Sequence, residues 1–74
     1  MNRLSLAVRY EIAKYYDGFF NNYDNLTRDL KILSDDLSVI ALSLERRLGV
    51  KLDRRQYRAI EDVDSWAQAI SSVR

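Results

Sequence analysis

Between Asp35 and Gly49 the apolar residues Leu37, Ile40, Ala41, Leu44 and Leu48 fall at offsets 0, 3, 4, 7 and 11. That spacing gathers all five on one face of a helix and cannot be produced by the two-residue alternation of a half-buried strand. Asp35 and Asp36 fall in the first turn of this helix and Arg46 and Arg47 in its last, so both ends complement the backbone dipole. A helix over Asp35–Leu48, ended by Gly49, is the expectation.

The same period recurs on either side. Leu4, Val8, Ile12, Tyr15 and Phe19 recur at spacings of three and four, which predicts a first helix over Leu4–Asp17 ended near Gly18. Val63, Trp66, Ala67 and Ile70 share a face at offsets 0, 3, 4 and 7, which predicts a last helix over Val63–Ser72 with Asp62 as its N-cap and Trp66 as a core anchor. Residues 54–60 read as a brief, weak helix with Tyr57 and Ile60 turned inward, after an extended link Val50-Lys51-Leu52. Residues 18–34 form a long connection whose Asn21, Asn22, Asp24 and Asn25 favour turns. Phe19, Phe20, Tyr23, Leu26 and Leu30 would pin it to the core. The expected fold class is therefore all-α. It has three main helices and one short one, a long loop between helices 1 and 2, and a single domain over residues 1–74.

Composition removes several functions. The chain has 74 residues, no cysteine and no histidine. A chain this short buries about 60% of its extended surface, so the core is thin, and no disulfide can staple it. Zinc sites and histidine-activated nucleophiles are absent from its inventory, so an enzyme is not expected. Asp35 and Asp36 are adjacent in sequence and diverge by about 100° on a helix, so they do not converge on one substrate atom, and two carboxylates alone make only a weak site for a divalent ion. No apolar run is long enough to span a membrane, and no secretory signal opens the sequence. A cytoplasmic monomer is the expectation.

Net charge is +1. Residues 45–58 nevertheless place Arg46, Arg47, Lys51, Arg54, Arg55 and Arg58 against Glu45 and Asp53, a local excess of four positive charges. A solvated charged face or an acidic partner surface would account for it. The acidic final segment, with Glu61, Asp62 and Asp64, argues against nucleic acid. Val39 and Leu42 lie off the apolar stripe, as scattered surface residues or as a docking strip.

Ser34 stands at the mouth of the second helix. Its hydroxyl suits a cap, bonding a first-turn amide. The same place suits attachment of a phosphodiester, because free amides and the positive helix end favour an anion.

The order of landmarks resembles the acyl carrier protein family over residues 26–71, with a looser likeness in the first helix. Asp29-Leu30 matches the family's Asp-Leu, and Ser34 falls without a gap on its modified serine. Leu44-Glu45-Arg46-Arg47-Leu48 matches the end of its second helix, Val50-Lys51-Leu52 the link that follows, and Ile60-Glu61-Asp62-Val63 with Ile70 its last helix. The resemblance implies 4′-phosphopantetheine on Ser34, with the acyl group held as a thioester on the arm's thiol and presented to carrier-dependent enzymes of fatty-acid or polyketide type. It implies that Ser38 and Leu42 lie on the docking side, with Ile40, Leu44 and Leu48 lining the core or an acyl cavity; Asp35, Val39, Arg46, Arg54 and Arg55 are the further candidates for partner contact on this chain.

The sequence also departs from the family pattern. Leu33 stands where the family has aspartate before the serine, Asp35 where it has leucine, and Lys31 where it has glycine. The arginines replace the usual acidic docking face, and Ser34-Asp35-Asp36 resembles bacterial carrier-like proteins that carry Gly-Asp-Asp there. An unmodified docking module, or a small protein-interaction module without a prosthetic group, is the alternative expectation.

Overall fold

The computed structural model describes residues 2–73. Its helices are α1 (Arg3–Ile12), α2 (Ser34–Leu48), α3 (Arg54–Arg58) and α4 (Val63–Val73), and the described residues contain no strand. The all-α reading holds, with three main helices, one short one and a long first connection. None of these helices is long and apolar enough to cross a membrane.

Each helix starts and stops for a local reason. Asn2 caps α1, its Oδ1 accepting from the Ser5 amide at 2.8 Å. Asp53 and Gln56 form a reciprocal capping box that allows α3 to exist at five residues. Asp62 Oδ1 accepts from the Ser65 amide at 2.7 Å and so caps α4 as expected. Gly49 ends α2 in the left-handed conformation (φ 66°, ψ 34°), its N–H donating to the Glu45 carbonyl.

α1 is shorter than its spacing predicts. Helix gives way to turns after Ile12, well before Gly18, so Gly18 does not cap it. Tyr15 and Phe19 continue the apolar period but face outward, and Phe19 is 83% exposed. The neighbouring Phe20 takes the core position instead. It meets Tyr16 edge-to-face at 5.8 Å between centroids, and the Arg9 guanidinium lies 4.2 Å from its ring centre. Unwinding shifts the contact by one residue, and the aromatic and cation–π contacts favour that shift.

The long connection is packed into the core through Phe20, Leu26, Leu30 and Ile32. Tyr23, expected to help pin it, is exposed, and Ile32 does that work. Backbone bonds fix the crossing: Leu26 N–H donates to the Glu61 carbonyl at 2.9 Å, and Asp64 N–H to the Asn22 carbonyl at 3.1 Å. Arg9 adds a bond to Asn22 Oδ1 at 2.8 Å. The loop is thereby tied to the start of α4 and to α1.

Val8 and Ile12 of α1, Ile40 and Leu44 of α2, and Val63, Trp66 and Ile70 of α4 complete the core. α1 packs on both α4 and α2. The shortest backbone dimension is 18 Å, less than two helix diameters of about 10–12 Å, so a single layer of side chains fills the interior.

Two polar residues are buried, Ser5 and Glu11, and Glu11, 2% exposed, is the charged one. Lys14 Nζ lies 3.1 Å from its Oε1 and Arg47 3.1 Å from its Oε2. The Arg47 guanidinium also sits 4.6 Å from the Tyr10 ring centre. Arg47, one of the residues in the basic cluster, is therefore a clip between α1 and the end of α2.

Candidate functional site

Two features meet on one side of α2: an exposed serine at its first turn and an apolar groove beside its middle. The segment before α2 sets the first. Asn25 Oδ1 accepts from the Thr27 and Arg28 amides at 3.1 and 2.7 Å, while Asp29 Oδ2 accepts from the Asn25 amide at 2.9 Å. Leu30 and Ile32 are then buried, and the residue between them, Lys31, has φ +60°. That left-handed conformation costs an L-residue about 1–2 kcal/mol and costs glycine nothing sterically. Lys31 is also the position where the resembled motif carries glycine. Lys31→Gly is expected to raise stability by about 0.5–1 kcal/mol, part of the relieved strain being offset by the freer unfolded chain. A higher urea midpoint at unchanged slope is the expected result, and a lower midpoint would contradict it.

Ser34 is the first helical residue of α2 and is exposed, but it is not the cap. Leu33 occupies the N-cap position with extended backbone and supplies no side-chain bond. The Ser34 hydroxyl bonds to nothing among the described residues, and no side chain claims the amides of Ser34, Asp35 or Asp36. Ser34 contributes its carbonyl, which accepts from Ser38 Oγ at 3.2 Å. The capping reading of its side chain is thus corrected. Asp35 and Asp36 occupy the same first turn and set negative charge beside the free amides.

The groove has a volume of about 620 Å³ and opens between α2, α3, α4 and the connection. α2 contributes Leu37, Ser38, Ala41, Leu42 and Glu45, residues at offsets 0, 1, 4, 5 and 8 that form a second stripe beside the core stripe. Arg54 and Tyr57 come from α3, and Trp66 comes from α4. Ile60 and Glu61 lie between those helices, with Leu26 and Thr27 from the connection. Of the two places expected for them, core or cavity, Ile40 and Leu44 take the core, and Leu37 and Ala41 form the groove wall.

Of the expected docking residues, the groove collects Ser38, Leu42 and Arg54. Asp35, Val39, Arg46 and Arg55 are exposed but do not line it. Sequence reasoning missed Glu45 and Glu61 in this wall. Glu45 is held by two donors on its Oε2, the Leu52 amide at 3.0 Å and the Tyr57 hydroxyl at 3.1 Å. Burial first, then the hydrogen bond and charge of Glu45, push the Tyr57 phenol up to about 12. It therefore stays protonated and donating at neutral pH.

Trp66 is both core anchor and groove wall. Its Nε1–H is buried and has no acceptor among the described residues. An unpaired buried donor costs about 1–3 kcal/mol, and native proteins leave few of them.

Compared with protein-family models, with curated proteins and with solved structures, the chain matches none.

Proposed function

We propose that this chain is a carrier-type helical module that receives 4′-phosphopantetheine on Ser34 and presents the attached group to partner proteins. The observation that carries the reading is the exposed, unbonded Ser34 hydroxyl one turn before the groove wall begins at Leu37 and Ser38. The residues fit the group: a free hydroxyl to esterify, and uncapped first-turn amides to face a phosphodiester. The group would supply the thiol that this cysteine-free chain lacks, for carriage of acyl cargo as thioester. The chain's own residues anchor and orient. Ser34 fixes the arm at the start of α2, and Leu37, Ala41 and Leu42 offer apolar surface beside it. Arg46, Arg54 and Arg55 are exposed and favour an acidic partner surface.

The half-exposed Val39 and Leu42, on the same helix as Arg46, favour a second reading, a protein-interaction module without the group. Labelling separates the two. Incubation with a fluorescent coenzyme A analogue and a broad-specificity phosphopantetheinyl transferase is expected to label the chain, and Ser34→Ala to abolish the label. An unlabelled chain beside a labelled control carrier would move the function to the second reading.

A further inference from the structure

We propose that the outward face of α2 binds the same face of a second copy of this chain, with the two helices antiparallel about a two-fold axis. Asp35, Val39, Leu42 and Arg46 stand at offsets 0, 4, 7 and 11, so they form one strip along α2, and all four are exposed. Ile40 and Leu44 are buried on the opposite side of the helix. The strip has an acid at one end, a base at the other and apolar residues between them.

Its order is self-complementary. When two copies are laid antiparallel about the point midway between Ile40 and Ala41, Asp35 of each meets Arg46 of the other, and Val39 and Leu42 of both copies cluster in the middle. Opposite charges then pair at each end while the apolar side chains cover one another. A parallel arrangement would bring acid to acid and base to base. Ser38 and Ser43 flank the strip, one on each side, and their short side chains let the helix axes approach to about 8–10 Å.

One chain alone leaves the strip unsatisfied. Asp35 and Arg46 lie about 16 Å apart along the helix, and neither belongs to an ion pair among the described residues. The helix dipole accounts for an acid in the first turn and a base in the last, but not for two half-exposed apolar residues between them. α1 packs on a different face of α2, where Arg47 meets Glu11, and so does not cover it. The contact is smaller than the about 1,200–2,000 Å² of standard interfaces, which sets a weak dimer with a dissociation constant on the order of 0.1–1 mM. Val39, Leu42 and Arg46 are also docking residues of the proposed carrier, so on that reading a partner competes with a second copy for α2.

Self-association does not require loading of Ser34. The test therefore uses the Ser34→Ala chain, and its outcome leaves the attachment reading untouched. Sedimentation equilibrium at low salt, from about 10 µM to about 1 mM, is expected to show the mass rising from one chain toward two. Salt at about 0.5 M is expected to weaken the dimer about fivefold, because the end charges are exposed. Arg46→Asp and Asp35→Arg each set like charges at both ends, and each is expected to leave a monomer throughout. An equimolar mixture of those two variants pairs opposite charges again and is expected to recover association. In a 15N-labelled sample, the amide resonances of Val39 and Leu42 are expected to move on dilution, while those of Gln68 and Ser72, exposed on α4, stay fixed. A single-chain mass at about 1 mM would overturn the proposal and leave the strip to a different partner. Association undiminished by either charge reversal, or dilution shifts centred away from α2, would overturn it too. The dilution series needs no charge variant, so it decides the matter even where a reversal weakens the fold.

Discussion

Ile40→Ala is expected to lower the unfolding free energy by about 3 kcal/mol, within the ~2–5 kcal/mol typical of truncating a buried isoleucine. Ile40 is 0% exposed and stands where α2 meets the core. The core is one side-chain layer thick, so the wall around the lost methyl groups has no second layer to collapse from. A domain of this length has about 4–11 kcal/mol in total at the usual ~0.05–0.15 kcal/mol per residue. The single change therefore removes a large share, and the melting temperature is expected to fall by about 12–24 °C. Val39 is the neighbouring residue and is 48% exposed, so Val39→Ala is expected to stay within about 0.5 kcal/mol. Urea titrations of the two variants followed by helical circular dichroism measure the contrast. Equal losses would contradict the helix register.

Arg47→Ala is expected to cost about 2 kcal/mol, although the residue is an arginine with 44% of its side chain exposed. The substitution leaves the Glu11 carboxylate buried with only Lys14 as counter-charge and removes the stacking on Tyr10. Full loss of a buried pair costs more, about 3–5 kcal/mol, and the exposure of Arg47 and the surviving Lys14 contact bring the figure down. Glu11→Leu in the Arg47→Ala background is expected to recover most of the loss, because it removes the stranded charge and fills the space with apolar volume. Denaturant midpoints of the single and double variants form the test. A double variant less stable than Arg47→Ala would mean that the carboxylate contributes something beyond its pairing with Arg47.

The parts of the fold that could be read in the chain are those set by short-range rules. α2 and α4 follow from three- and four-residue spacing, from Asp62 as cap and from Gly49 as stop. α1 overran because Tyr15 and Phe19 keep the period, and only the tertiary contacts of Phe20 with Tyr16 and Arg9 reveal where the helix ends. Ile32 sits beside two residues that face solvent, Lys31 and Leu33, and its burial depends on the Lys31 backbone turning left-handed. The groove was half legible. Leu37 and Ala41 were visible as apolar stripe, but they looked like core, since nothing local says that α3 and α4 stand off from that side of α2. Burial of Glu11 had no sequence signal at all: its partner Arg47 comes from another helix and looked like surface charge.

The proposed attachment at Ser34 is tested most directly by the intact mass of the chain after co-expression with a phosphopantetheinyl transferase, followed by peptide mapping. The expected result is a gain of one phosphopantetheinyl group, carried on the peptide containing Ser34. An unchanged mass while a control carrier is fully loaded, or a gain mapped to another serine, would contradict it.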